Sequence, residues 1–235
     1  MMIDLSSQMI NGLNLPTVVN GALTDVTKTP FAFLPDKHRT IWSFALQDEW
    51  QIADDWQMTA GVRYDDYSDF GSTVNPRAAL VWNINKKLST KLMYGEAFRA
   101  PSFTEQATQN NPILLGNPNL NPETINTGEW AIDYRPFSSF RTAANLFYYQ
   151  IHNLIAAVPE PNGITSFYKN DGNQQGYGAE FEWDWQLNSQ VNLKGNYAWQ
   201  HARSSVTNKR VTGVPEHHVY FAAGWQFIPN WHLQS

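Results

Sequence analysis

The sequence predicts an all-β protein, an antiparallel up-and-down transmembrane β-barrel segment of about nine strands plus a tenth. Three observations predict it. From Thr40 onward apolar and polar residues alternate with the period of two that separates the faces of a strand. The connections between these runs are alternately short and long, as in a barrel with tight turns on one side of a membrane and long loops on the other. No stretch carries the 3.6-residue period of an amphipathic helix.

Taken in order, residues 1–38 show no period and are punctuated by Gly12, Pro16, Gly21, Pro30 and Pro35, which predicts an irregular N-terminal segment before a barrel part over 39–235. Trp42, Phe44, Leu46 and Trp50 then alternate with Ser43, Ala45, Gln47 and Glu49. Trp56, Met58, Ala60, Val62 and Tyr64 alternate with Gln57, Thr59, Gly61, Arg63 and Asp65, and Ala78, Leu80 and Trp82 stand against Arg77. Leu88, Leu92, Tyr94 and Phe98 oppose Lys91, Met93, Gly95 and Ala97; Glu96 breaks this pattern by falling on the apolar parity. Trp130, Ile132 and Tyr134 oppose Glu129, Ala131 and Asp133. Residues 140–151 are apolar on both parities, so their faces stay unassigned. Tyr177 to Trp185 oppose Glu180, Glu182 and Asp184; Val191 to Trp199 oppose Lys194 and Gln200; Val219 to Phe227 oppose His218 and Gln226.

Short turns fall at 51–55, 83–87, 135–139, 186–190 and 228–230, and longer connections at 66–73, 100–123, 152–169 and 203–213. Large apolar residues six apart bracket every short turn: Trp50/Trp56, Trp82/Leu88, Tyr134/Phe140, Trp185/Val191 and Trp225/Trp231. Repetition on one side of the sheet predicts an aromatic girdle at a membrane–water interface, formed by Trp50, Trp56, Trp82, Tyr134, Trp185, Trp225 and Trp231. The opposite parity collects Glu49, Arg63, Arg77, Lys91, Glu129, Asp133, Glu180, Glu182 and Lys194. Charges repeating around a sheet predict a polar lumen wall.

Bulk properties agree. The chain is 42% hydrophobic but only 16% charged, with 10 Trp and no Cys, which excludes a disulfide scaffold and thiolate metal sites. No apolar run approaches the ~20 residues of a spanning helix. The mean hydropathy of −0.45 does not exclude a membrane, because barrel strands turn half their residues to a polar lumen. There is no basic patch suited to nucleic acid. The N-terminal Met-Met-Ile-Asp-Leu lacks a signal-peptide pattern, so for an outer-membrane protein the chain is expected to be a fragment.

The long loop of 100–123 carries a resemblance. Tyr94-Gly-Glu-Ala-Phe-Arg-Ala-Pro-Ser-Phe103 followed by Asn117-Pro-Asn-Leu-Asn-Pro-Glu123 resembles the strand–loop–strand signature of TonB-dependent outer-membrane receptors. Leu46-Gln-Asp-Glu-Trp50, Gly61-Val-Arg-Tyr-Asp65, Asn75-Pro-Arg77, Asn145-Leu-Phe-Tyr-Tyr149 and Gly176-Tyr-Gly-Ala-Glu180 resemble the same family in the same order. The resemblance implies a larger, 22-stranded barrel in the bacterial outer membrane. It implies import of a scarce ligand, most often a ferric siderophore, sometimes cobalamin, haem or another chelate. It also implies energy from a TonB complex acting through an N-terminal plug that this sequence lacks. Two other readings stand beside it: a passive outer-membrane porin, and a soluble aromatic-rich β-sandwich that binds carbohydrate.

Several constellations carry no enzyme chemistry. Asp65-Asp66-Tyr67-Ser68-Asp69 lacks the spacing and closing Glu of a calcium loop and reads as a solvated loop. Consecutive His217 and His218 point to opposite faces in a strand and cannot chelate together. Glycosidase-like carboxylate pairs belong to the charged wall, and no nucleophile elbow, phosphate loop or zinc motif is present. No catalytic residue, metal ligand or cofactor is expected. Ligand contacts are expected instead on the long loops, from Arg99, Phe103, Gln106, Gln109, Asn110, Asn111, Asn162, Phe167 and Tyr168. The aromatics offer flat faces, the amides neutral donors and acceptors, and Arg99 a fixed positive charge suited to an anionic ferric complex.

Overall fold

The computed structural model describes residues 2–10, 17–19, 21–26, 28–161, 163–228 and 231–234. In chain order the elements are β1 (Met2–Ile10), β2 (Thr17–Val19), β3 (Ala22–Thr24), β4 (Lys37–Ala53), β5 (Trp56–Tyr67), β6 (Gly71–Asn85), β7 (Leu88–Arg99), α1 (Phe103–Ala107), β8 (Leu114–Leu115) and β9 (Glu123–Phe137). They continue with β10 (Phe140–His152), β11 (Ile155–Pro159), β12 (Ser166–Asn170), β13 (Gln174–Gln186), β14 (Val191–Ser204), β15 (His217–Ile228) and β16 (Trp231–Gln234). Eleven of the strands form one antiparallel sheet in the order β1-β4-β5-β6-β7-β9-β10-β13-β14-β15-β16. Each strand pairs with the sheet strands next to it in sequence, so the topology is up-and-down throughout, and the sheet is open.

The pairing register sorts side chains cleanly. Trp50 pairs with Met58, Met58 with Leu80, Leu80 with Leu92 and Leu92 with Trp130. The row continues through Leu146, Ala179 and Trp199 to His217. Because paired residues share a face, this row defines an apolar one. The neighbouring row, Glu49–Thr59–Ala79–Met93–Glu129–Phe147–Gly178–Gln200, defines a polar one. The apolar row starts three residues from the end of β4, beside a short turn, and finishes on the first residue of β15, beside a long connection. Hydrogen-bonded rows thus climb across the sheet, the stagger that tilts strands against a barrel axis.

Glu49, Arg63, Arg77, Lys91, Glu129, Asp133, Glu180, Glu182 and Lys194 all fall on the polar face by this register. Trp50, Trp56, Trp82, Tyr134, Trp185 and Trp225 all fall on the apolar face, and the side chain of Trp231 lies outside the described residues. Trp56 and Trp82 stack at 4.9 Å, and Trp82 Nε1 donates to Asp55 in the adjoining turn at 2.9 Å. The apolar face is bare: Leu92 is 54% exposed, Trp130 46% and Val219 71%.

Strand β10 resolves what alternation could not. Ala143, Asn145, Phe147 and Tyr149 lie on the polar face, Ala144, Leu146 and Tyr148 on the apolar one. Phe147 and Tyr149 belong on the polar side because β13 offers them notches. A Cβ on Gly176 or Gly178 would stand 2.5 Å from the Tyr149 or Phe147 ring, so only glycine lets those rings lie flat across the neighbouring strand.

Three expectations are corrected. Residues 1–38 are not wholly irregular: β1 pairs along β4 from Met2↔Ala45 to Ile10↔Lys37, with Ile3, Leu5 and Met9 on the apolar face, and β2 pairs with β3. Its alternation was hidden by Ser7, which falls on the apolar parity. The connection between β5 and β6 is only residues 68–70, because pairing persists to Tyr67↔Gly71. Finally, the loop of 100–123 contains a helix, α1. Pro101 precedes the N-cap, where it does no harm. Ser102 Oγ accepts from the Glu105 backbone N–H (3.2 Å) while the Glu105 carboxylate accepts from the Ser102 N–H (2.8 Å). That reciprocal pair is a capping box.

Candidate functional site: interlocked loops at one end of the sheet

The long connections gather at one end of the sheet and hold each other in place. Residues 100–122 lead from β7 to β9 and residues 153–173 from β10 to β13. Leu114 and Leu115 of the first pair in parallel with Ser166 and Phe167 of the second, so β11, β12 and β8 make a small sheet shared by both loops. Asparagines fasten the seam. Asn117 Nδ2 donates to the Tyr168 carbonyl (3.0 Å), Asn170 Oδ1 accepts from the Asn121 N–H (2.8 Å), and Asn170 Nδ2 donates to the carbonyls of Asn121 (2.9 Å) and Asn153 (2.8 Å). Gly116 passes so close to α1 that a Cβ there would lie 2.6–2.8 Å from the backbone of Gln106–Thr108.

Arg39, at the start of β4, is the hub. It is 2% exposed, and its guanidinium donates to the Pro101 carbonyl (2.8 Å) and Gln106 Oε1 (3.1 Å) while pairing with Asp69 (2.9 Å). Its Cζ lies 4.3 Å from the Phe103 ring centre, 5.7 Å from that of Phe70 and 5.8 Å from that of Tyr67. A buried cation is tolerated only when its donors are used and its charge is matched. Asp69 matches the charge of Arg39 and Nη2 carries its bonds, while Nε finds no hydrogen-bond partner; these contacts draw the 68–70 turn and the 100–122 loop onto one strand. Acids expected in a solvated loop are therefore structural: Asp69 pairs with Arg39, and the fully buried Asp65 accepts from Ser43 (2.5 Å) and Arg63 (2.7 Å).

Arg99 forks between two carboxylates, Glu123 (2.7 Å to each oxygen) and Glu105 (3.0 and 3.1 Å). Its charge is thus shared with two carboxylates, although the side chain remains 46% exposed. Burial pushes the Glu105 carboxyl upward, but hydrogen bonds from Arg99 and Ser102 outweigh it and hold Glu105 below its ordinary value.

The other expected ligand contacts divide. Phe103 lies on Arg39 and Gln106 is bonded to it. Asn110 adopts a left-handed φ of 54° and donates to the carbonyls of Pro30 (2.7 Å) and Ala32 (2.9 Å); Asn111 Oδ1 accepts from the Ile113 N–H (2.9 Å). Gln109 is anchored by its backbone N–H to the Phe33 carbonyl (2.9 Å). Phe167 lines a hollow of about 550 Å³ with Leu115, Pro161 and Thr165, rimmed by the Lys169–Glu160 pair, and Tyr168 follows it on β12. Asn162 lies outside the described residues. Sequence reasoning missed Arg39, whose partners are 62 and 67 residues away in the chain.

Below the cap, the polar face carries a hollow of about 640 Å³ lined by Lys91, Asp133, Arg141, Asn145, Glu180 and Glu182. Arg141 bridges Asp133 (2.6 Å) and Glu182 (2.8 Å). Among the described residues no group of three acidic, His or Cys side chains could hold a metal ion, and His217 and His218 lie on opposite faces.

The family model described as TonB dependent receptor-like, beta-barrel, matches residues 7–234. The iron-regulated outer membrane virulence protein of Vibrio cholerae is 25% identical over 224 residues, covering 87% of this chain and 34% of that protein. The vitamin B12 transporter BtuB of Vibrio cholerae is 31% identical over 135 residues, 57% of this chain and 20% of that one. The crystal structure of the siderophore receptor PirA from Acinetobacter baumannii superposes with a TM-score of 0.81 at 15% identity, covering 99% of this chain and 38% of that one. The chain thus spans about a third of the length of these longer relatives.

Proposed function

The chain belongs to the TonB-dependent receptor family, within its β-barrel, and from that premise we propose that the intact protein imports a ferric siderophore or similar chelate through TonB. The family is one of outer-membrane receptors and transporters rather than enzymes, and the protein resides in the outer membrane. In this reading the apolar face meets lipid and the polar face lines the lumen. A plug N-terminal to this segment contacts TonB, and the long connections are extracellular.

The observation that carries the reading is the seam between the two loops. Long loops alone would suit a passive pore as well, but β8 and β12 bind two of them into a single platform above the polar face. Ordering loops before binding removes an entropic cost from ligand capture. We assign ligand contact to Gln109, Phe167 and Tyr168. Arg99, Phe103, Gln106, Asn110 and Asn111 act as the frame that positions them. Iron is favoured by the 87% coverage of this chain by the iron-regulated relative. Cobalamin is the second reading, favoured by the higher identity to a B12 transporter over a shorter stretch.

The test uses the full-length receptor. Ferric siderophores and cyanocobalamin are offered to cells carrying the parent protein or the Phe167→Ala/Tyr168→Ala variant. Tight binding of a ferric chelate, weakened about tenfold or more by the double substitution, is expected, since stacking on one aromatic contributes about 1 kcal/mol. Uptake of cobalamin with no ferric chelate bound would transfer the function to the second reading.

A further inference from the structure

On the apolar face, at the end where the long connections lie, β14 and its following loop carry a cluster that the ligand platform does not use. The register puts His201 opposite Tyr177 and Arg203 opposite Gln175, both on the apolar parity, and the bridge Arg203↔Arg210 brings Arg210 to the same side. Arg203 Nε donates to His201 Nε2 (2.9 Å), so His201 carries its proton on Nδ1, which faces Glu216 Oε1 at 3.4 Å. Glu216 also pairs with Arg210 (3.1 Å). The cluster thus holds two guanidinium groups and one carboxylate, which pairs with Arg210 alone, and it keeps a surplus of positive charge. Both arginines are exposed; Arg210 is held by Glu216 and by the Val214 carbonyl (3.2 Å), whereas the terminal nitrogens of Arg203 make no hydrogen bond to a described residue. Elsewhere the same face and end present Asp66, Glu96 and Gln150, so the cationic character is local to one sector.

Directly beneath stand aromatics. Tyr177 meets Trp199 edge-on at 5.7 Å and the His201 ring at 5.7 Å, while Tyr197 stacks on His217 at 6.1 Å and bonds its Nδ1 at 2.8 Å. On a surface facing lipid, an aromatic step followed by a cationic step marks the passage from acyl chains to head groups, because a cation is costly any deeper. The head-group moiety that satisfies a guanidinium fork is phosphate.

We propose that Arg203 and Arg210 form a binding site for the phosphate of an outer-leaflet glycolipid, holding one lipid against β14 and β15. The inference rests on the reading above, in which the apolar face meets lipid and the long connections are extracellular. The site is on the outside of the sheet and takes no part in ligand import.

The experiment uses the full-length receptor, purified in mild detergent and delipidated, then offered bisphosphorylated lipid A, its dephosphorylated form or inorganic phosphate, with bound lipid counted by native mass spectrometry. Retention of the bisphosphorylated lipid is expected, falling about fivefold for Arg203→Gln or Arg210→Gln and about 25-fold for the pair. Arg135→Gln, at the opposite end of the sheet, is expected to retain it fully. Equal retention of the dephosphorylated lipid, or by the double variant, would overturn the proposal. Displacement by inorganic phosphate alone would also overturn it, as a site for a free anion. If the double variant does not fold, as judged by heat-modifiable migration, Arg203→Lys keeps the charge but loses the fork, and unchanged retention there would count equally against it. Labelling of Ser205→Cys on intact cells separates the two levels. An unreactive thiol would defeat the orientation itself, whereas a reactive one with unaltered lipid retention would defeat only the lipid site.

Discussion

The wall and the cap of this molecule are built on opposite principles. The wall has almost no interior: its strands bury little, and its large apolar side chains, Trp42, Leu92, Trp130 and Phe221 among them, stand exposed on one face. The cap has an interior of its own, with Val26, Ala32, Leu34, Leu120, Gln106 and Thr108 all buried and Arg39 at its centre. The difference teaches where each region's stability originates. The wall depends on an apolar solvent that covers its outer face and on backbone pairing, whereas the cap carries its packing with it into water.

That contrast can be broken most forcefully at the hub. Arg39→Ala leaves Asp69 buried beside an empty site, and removing one partner of a buried pair costs about 3–5 kcal/mol. The loss is expected to appear as faster hydrogen exchange across 100–122 while the strands stay protected; uniform deprotection of β4–β10 would show that cap and wall are one cooperative unit. Next in size, Leu92→Arg on the apolar face is expected to cost about 2–4 kcal/mol in bilayer-embedded unfolding, while Thr59→Arg on the polar face costs less than 1 kcal/mol. Equal costs would mean that the two faces see the same medium. Ser102→Ala removes half of the capping box and is expected to destabilise the cap by about 1 kcal/mol, read as increased proteolysis near α1 with no change in the wall. Smallest is the acid response. Glu105 is held below its ordinary value of 4.5, so its pairing stabilises the cap fully above that pH and is lost as pH falls through the lowered value. Protease sensitivity of 100–122 is expected to rise below about pH 4.5 in the parent and to rise less in Glu105→Gln, where Glu123, also held low by Arg99, is the remaining acid-sensitive partner.

The wall was legible in the sequence because its signal is local: each strand declares its faces through residues two apart, and short turns set the pairing. Where that failed, the reason is physical. In β10 the polar face carries Phe147 and Tyr149, admitted by Gly178 and Gly176 on the next strand, so apolar character stopped marking the lipid-side parity. In β1 a single Ser7 obscured a sound alternation. The cap was far less legible. Its contacts join residues 30 to 80 positions apart, such as Arg39 with Asp69 and Pro101 and Asn110 with Pro30, and no spacing rule reports them. Pro101, Pro112, Pro118 and Pro122 argued for an irregular loop without helix over 100–123, yet Pro101 merely precedes a capped helix. The capping box Ser102-Phe-Thr-Glu105 was the one local signal that would have revealed it.

The climbing register carries a consequence for how the protein senses its bilayer. The row from Trp50 to His217 begins beside a short turn and ends beside a long connection, so residues bonded neighbour to neighbour occupy steadily changing depths. A single line of backbone partners therefore runs from one leaflet to the other. Thinning the membrane would uncover that line at both ends at once, Trp50 on one strand and His217 at the opposite rim, on strands far apart in the sheet. Mismatch would thus be felt as a twist distributed around the wall rather than as a load on any one strand.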